Sequence, residues 1–243
     1  MAEDLTEARL GSALDTISEL NQQQLFSQIA LRAMHIHGIS TDNIHVDTTN
    51  FSLFGEYDQE AHNVFNATSC GAPKSGKKNL KAVALGTAVG DNKIPFLFQA
   101  LSGNSSDAVW FRDALTEITT LFSGDLHSRP ILTFDAAGSN QKMFKMAAEA
   151  KAPCIIRLSR TFKNAGDSIE RAWAENRWQK VGKLSDRKKG SFYSVCSFDF
   201  DSFPGWRLTV VHSTSLEDTK RKTMERALPK KKETIEKRAA SLA

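Results

Sequence analysis

Asn43-Ile-His-Val-Asp-Thr-Thr-Asn-Phe-Ser52 alternates apolar and polar side chains, with Ile44 and Val46 on one side and His45, Asp47 and Thr49 on the other. That period of two predicts a half-buried strand over 43–54 with a polar face built around Asp47. A second short apolar run, Pro130-Ile-Leu-Thr-Phe-Asp135, also delivers an aspartate, 88 residues further on. Two carboxylates carried side by side on strands form a hard-oxygen site suited to a divalent cation. Such sites serve phosphoryl-transfer chemistry on nucleic acid. Without a cation the two like charges would repel each other. A pair of this kind also raises the question of a third carboxylate.

The rest of the chain supplies the elements around the pair. Leu14, Ile17, Leu20, Leu25, Ile29 and Met34 recur at helical spacing over 12–38, with Asn21-Gln-Gln-Gln24 as a point where one helix becomes two. Residues 55–79 are polar and rich in Gly, Asn, Ser and Lys, which predicts a loop. Leu80–Val89 and Ile94–Leu101 flank the turn Gly90-Asp-Asn92 and predict a hairpin. Ser105 or Ser106 caps a helix to about Phe122, with Phe111, Ala114, Leu115, Ile118 and Leu121 on one face. A strand over 130–134 precedes Asp135. Ser139 then caps a helix carrying Met143, Phe144, Ala147 and Ala148, and Cys154–Leu158 is a fifth strand.

The order β-β-β-α-β-α-β predicts an α/β fold, a ribonuclease H-like mixed sheet with flanking helices. In that fold the first acid lies on the first strand and the second ends the fourth, its spatial neighbour; Asp47 and Asp135 occupy those places. The predicted organisation is an N-terminal helical segment (1–42), the ribonuclease H-like core (43–160), the start of a β-rich insertion (161–215) and a basic, helical tail (216–243). Strands are expected at Arg177-Trp178, Gly190–Phe200 and Gly205–Val211, and Pro229 is expected to interrupt the tail helix.

Composition narrows the class. The chain has 243 residues, 40% hydrophobic and 25% charged, enough for a sizeable core. No apolar run approaches a membrane span, and Met1-Ala-Glu-Asp-Leu5 lacks a basic leader, so a cytoplasmic, nucleoid-associated location and no membrane partner are expected. Cys70, Cys154 and Cys196 form no CxxC pair and read as reduced thiols. Residues 217–243 hold nine Lys/Arg against five Asp/Glu, an excess equal to the net charge of +4, so the remainder of the chain is balanced. Such a tail fits a nucleic-acid partner or a solvated face.

The motifs together resemble bacterial insertion-sequence transposases of the Asp-Asp-Glu type, in the superfamily with a β-rich insertion before its last acid. The residues that carry the resemblance are His45–Ser52, Gly55-Glu-Tyr57, Lys81–Gly86, Ile94-Pro-Phe96, Ala100–Asp107, Phe134-Asp-Ala-Ala137 and Trp206–Ser213. The resemblance implies that Asp47 and Asp135 are the first two catalytic and metal-binding acids. It also implies two Mg²⁺ (or Mn²⁺) ions in the complete enzyme, one activating water or a DNA 3′-hydroxyl and the other stabilising the leaving oxygen. DNA (terminal repeats and target) and a homo-oligomer are the implied partners. Thr48, Thr49 and Asn104 are candidates to support the carboxylates by hydrogen bonds, or belong to local turn chemistry. Lys74, Lys77, Lys78 and Lys81 are candidates for DNA phosphates, or a solvated loop.

The sequence departs from the superfamily at the third acid. Its Tyr-x2-Arg-x3-Glu-x6-Lys spacing follows neither Tyr57 nor Tyr193, the two tyrosines. A truncated, split or frameshifted product is the expectation, inactive alone in strand transfer. Glu170 is the alternative third acid of a minimal domain. A DNA-binding or transposase-binding remnant without catalysis is the alternative function. His35, His37, His45 and Asp47 span a helix end and a strand and do not form a zinc set. Lys74-Ser-Gly-Lys77 lacks Walker spacing.

Overall fold

The computed structural model describes residues 6–53, 82–103, 105–123, 129–163, 165–184 and 190–240. The chain divides into two compact units, Met1–Ser159 and Arg160–Ala243. In the first unit the elements are α1 (Glu7–Ser18), α2 (Gln22–Ile36), β1 (Asn43–Ser52), β2 (Ala82–Val89), β3 (Pro95–Ser102), α3 (Asp107–Leu121), β4 (Ile131–Phe134), α4 (Gln141–Glu149) and β5 (Cys154–Ile156).

The five strands form one sheet in the order β3-β2-β1-β4-β5. β1, β2 and β3 pair antiparallel, whereas β1–β4 and β4–β5 pair parallel. A three-stranded meander extended by parallel strands that return through helices is the mixed α/β sheet of the ribonuclease H-like fold. The alternation in β1 is as the sequence predicts: Ile44, Val46 and Thr48 are buried, while His45, Asp47 and Thr49 are exposed.

The buried side of the sheet is covered by α3 and α4. Trp110, Phe111, Ala114, Leu115 and Ile118 of α3 are at most 1% exposed, and Met143, Phe144 and Ala147 of α4 join them. Phe111 meets Phe134 with ring centroids 5.3 Å apart. Trp110 lies over Gly86, where a Cβ would sit 2.4 Å from an indole carbon, so only glycine leaves room for the ring. At the other edge Phe26 of α2 meets Phe98 of β3 edge-on at 4.8 Å.

The helix break falls at Asn21 as the sequence predicts, whereas several other positions differ from expectation, each for a local reason. Asn21 Oδ1 accepts from the Gln24 amide at 3.0 Å, and this cap starts α2 as a helix separate from α1. No residue of α1 is buried, and Ile29 of α2 is 62% exposed; Ser27 and Met34 are the buried positions of α2. Ser139 does not cap α4. Asn140 does, accepting from the Met143 amide at 2.9 Å, while Ser139 Oγ accepts from the Ser159 amide at 2.9 Å. Residues Arg157 and Leu158 lie past the end of β5.

Ser27 is 0% exposed and its Oγ has no hydrogen-bond partner among the described residues. A buried, unsatisfied hydroxyl is a net cost, and alanine is the better helix former. Ser27→Ala is therefore expected to raise unfolding stability by about 1 kcal/mol, read as a higher urea midpoint; a lower midpoint would show that the hydroxyl is needed.

The β2–β3 turn is tied to the entry of β1. Asp91 accepts from Ser40 Oγ at 2.7 Å and from Asn43 Nδ2 at 3.1 Å. The Ser40 bond first, then the Asn43 bond, hold the Asp91 carboxyl below its ordinary value of 3.8. A depressed folded-state value contributes stability that is present above the unfolded value and lost as pH falls through the folded one. Wild type should thus lose thermal stability below about pH 4 by more than Asp91→Asn does; parallel melting curves against pH would refute this.

The second unit holds α5 (Ala165–Glu175), β6 (Gln179–Lys183), β7 (Phe192–Asp199), β8 (Arg207–Ser213) and α6 (Thr214–Ala240), with the three strands antiparallel in that order. Helix α5 is absent from the sequence expectation, and β6 begins after Trp178 rather than at Arg177. Ala172, Cys196 and Phe198 form its small core with Trp178 and Val210 against it. The Arg171 guanidinium lies 4.4 Å from the Phe198 ring centroid and pairs with Glu175 at 2.6 Å. Helix α6 runs through Pro229 without the predicted interruption. Lys, Arg, Glu and Ala on both sides are strong helix formers, which offsets the missing amide. No described helix is long and apolar enough to cross a membrane.

Candidate functional site

The parallel register sets the site. Asn43, Ile44, His45 and Val46 pair with Ile131, Leu132, Thr133 and Phe134. One step beyond the last pair stand Asp47 and Asp135, so the sequence interval of 88 residues equals the register offset. Adjacent strands lie about 4.8 Å apart, and Asp135 is still extended (φ −76°, ψ −170°). The two carboxylates therefore emerge as neighbours, both exposed, on the face of the sheet opposite α3. They lie at the carboxyl end of β4, where open α/β sheets bind ligands.

Each carboxylate is oriented by main chain. Asp47 Oδ1 accepts from the Thr48 amide at 2.8 Å. Asp135 Oδ1 accepts from the Ala137 amide at 2.9 Å, capping the 3₁₀ turn Ala136–Gly138. A Cβ on Gly138 would lie 3.1 Å from the Phe134 Cβ and 3.5 Å from Phe111, so this turn is packed closely beneath Asp135. In each case Oδ1 is engaged and Oδ2 has no hydrogen bond among the described residues. Two hard, solvent-facing oxygens fit a divalent cation.

The other predicted residues fall as follows. Thr49 shares the exposed face with Asp47. The Thr48 side chain points the other way, is 6% exposed, and donates from Oγ1 to Asp107 Oδ1 at 2.5 Å. Its support for Asp47 thus comes from its amide rather than its hydroxyl. Asn104 and Lys74, Lys77, Lys78 and Lys81 lie outside the described residues, as do Gly55–Tyr57 and Cys70. Glu170 lies exposed on α5 of the second unit. Among the described residues no group of three or more His, Cys, Asp or Glu could hold a metal ion. Cys154 and Cys196 are free, and burial pushes the Cys154 thiol up to about 12, which leaves it no nucleophilic role near neutral pH. An apolar cavity of about 80 Å³ between Ile118, Phe122, Pro130 and Leu132 sits at the opposite end of β4 from Asp135.

Asp107 is the residue that sequence reading quotes within a motif without assigning it to the site. Its signal is the Ser106-Asp107 helix start, which by itself reads as a cap. The three-dimensional pairing with Thr48, 59 residues away, links it to Asp47.

No family model matches the chain, and no curated protein matches it. Among solved structures, the Mos1 transposase paired-end complex with left transposon end is similar at a TM-score of 0.31 and 12% identity. That match covers 64% of this chain and 56% of the other, so the chain spans little more than half the length of that structure's chain.

Proposed function

We propose that this chain is the catalytic-core portion of a metal-dependent transposase of the Asp-Asp-Glu type, which cleaves and joins DNA at insertion-sequence ends. The observation that carries the reading is the in-register apposition of Asp47 and Asp135, both exposed and each with one oxygen held by a main-chain amide. The run of motifs from His45 to Ser213 supports it. Asp47 and Asp135 would hold Mg²⁺ or Mn²⁺ between them. Bound there, the cation supplies Lewis-acid stabilisation of charge on phosphate oxygens. The amides of Thr48 and Ala137 keep the carboxylates aimed at the same place before any ligand arrives, so that little reorganisation is needed.

With no third carboxylate grouped with this pair among the described residues, the chain alone is expected to bind metal weakly and to lack strand-transfer activity. DNA is the proposed partner, with Lys74, Lys77, Lys78 and Lys81 as phosphate contacts and a homo-oligomer as the working form. A second reading, a DNA-binding or transposase-binding remnant, is favoured by α6, which exposes Lys220, Lys222, Arg226 and Lys231.

The test is cleavage and binding of a labelled duplex carrying the inverted repeat that flanks the reading frame, with Mg²⁺ or Mn²⁺. Salt-dependent binding without strand transfer is the expected result. Robust cleavage lost on Asp135→Ala would show that the site is complete, making Glu170→Ala the next variant. Absence of both metal binding and DNA binding at low salt would sink the transposase reading. Binding that survives Asp47→Ala but not deletion of 217–243 would favour the remnant.

A further inference from the structure

The first turn of α3 lies directly behind the carboxylate pair, and one of its residues is tied to the site through the sheet. Asp107 opens α3 after the N-cap Ser106, whose Oγ accepts from the Ala108 amide at 3.3 Å. A carboxylate at that position is favourable to the helix dipole while pointing into solvent. Asp107 instead turns towards β1 and accepts from Thr48 Oγ1 at 2.5 Å, in a partly buried contact. Charge-assisted hydroxyl–carboxylate bonds are stronger than neutral ones.

The geometry of Thr48 converts that contact into control of its neighbour. Threonine is β-branched and has few χ1 options, so fixing Oγ1 fixes the side chain relative to its own backbone. Because strand residues alternate, Thr48 is anchored beneath the sheet while Asp47 projects above it. The link between the two is the Thr48 amide, which donates to Asp47 Oδ1 at 2.8 Å. The cross-strand partner of Thr48 is Gly86, and the residue packed over Gly86 is Trp110, from the same first turns of α3. The helix start is therefore wedged against Thr48 by packing as well as by the hydrogen bond.

We infer that Asp107 is a positioning residue: through the Thr48 hydroxyl it fixes the Thr48 amide, which holds Asp47 with its second oxygen offered to a divalent cation. This rests on the metal-site reading above. Asp107 touches neither cation nor DNA in this role. It lies on the opposite face from Asp47 and supplies orientation rather than a third ligand. Outer groups that orient metal ligands commonly carry about 10- to 100-fold of metal affinity.

The experiment uses the full chain and two readouts, Mn²⁺ titration followed by electron paramagnetic resonance and hydrogen exchange of individual amides by NMR. Asp107→Ala and Thr48→Val are expected to weaken Mn²⁺ binding about tenfold. Asp107→Asn and Thr48→Ser, which keep an acceptor and a donor, are expected to recover wild-type affinity. In an Asp47→Asn background Asp107→Ala should have no further effect. Without metal, Asp107→Ala should speed exchange of the Thr48 amide while that of Val46 is unchanged.

Equal losses in Asp107→Ala and Asp107→Asn would overturn positioning in favour of simple charge. Loss of protection at Val46 and Thr48 together would overturn it in favour of general stability. If Asp47→Asn and Asp135→Asn weaken Mn²⁺ binding but Asp107→Ala does not, this inference fails and the metal site stands. If wild type does not bind Mn²⁺, the metal site fails, and an unchanged Thr48 amide in Asp107→Ala then rejects the link itself.

Discussion

Gly86→Ala is expected to destabilise the first unit more than any other single methyl addition. The new Cβ would lie 2.4, 2.5 and 2.8 Å from three indole atoms of Trp110, a side chain only 1% exposed. Neither partner can yield cheaply: Gly86 is held in a central strand between β1 and β3, and the indole is enclosed by α3 and the sheet. Overpacking of this kind costs up to about 3 kcal/mol, which in a unit of this size lowers a melting midpoint by roughly 6–12 °C. Trp110→Phe, which replaces the bicyclic indole with a smaller single ring, should recover part of the loss when combined with Gly86→Ala, although it is destabilising alone. Such coupling identifies the clash as the cause. A midpoint shift of about a degree or less for Gly86→Ala would mean that α3 can lift from the sheet and that Trp110 is not held in close approach to Gly86.

The second large effect concerns the carboxylates. Asp47→Asn and Asp135→Asn are each expected to lower Mn²⁺ affinity by at least about tenfold, because each removes one of two hard anionic ligands. Both together should leave no measurable binding. In the absence of metal the same substitutions should raise the thermal midpoint, since neighbouring like charges repel each other. Opposite signs in the two measurements distinguish a functional pair from an incidental one. If either variant binds Mn²⁺ as wild type does, the cation does not sit between Asp47 and Asp135. Isothermal titration and differential scanning calorimetry suffice for both arms.

Much of the first unit was legible because its periodicities are strong. The alternation in 43–52, the apolar face of α3 and the short run before Asp135 each correspond to an element whose buried positions match the pattern. Caps were less legible where several candidates adjoin. Ser139 and Asn140 are equally good in isolation, and the demand of the Ser159 amide decides between them. Helix α5 is less legible because Ala165–Glu175 is short and its buried residues are the small Ser168 and Ala172, while its large apolar residues Ile169 and Trp173 are exposed. The tail helix was visible, but its continuity through Pro229 was not, since propensity on either side outweighs one lost hydrogen bond. In the site, the two aspartates stood out because each ends or interrupts an apolar run. Asp107 did not, because a carboxylate at a helix start has an ordinary local reason to be there.

The parallel pairing of β1 with β4 also bears on the order in which the molecule assembles. The β2–β3 hairpin closes across the short turn from Gly90 to Ile94, whereas β4 reaches β1 only after a detour of 88 residues. Closing the longer loop costs more chain entropy and has to be repaid by contacts of high sequence separation. With four residues in β4 and three in β5, there are few ladder bonds to repay it. The hairpin is therefore expected to gain protection early in refolding, and the β1–β4 seam late. The first unit would be largely folded before Asp47 and Asp135 come together.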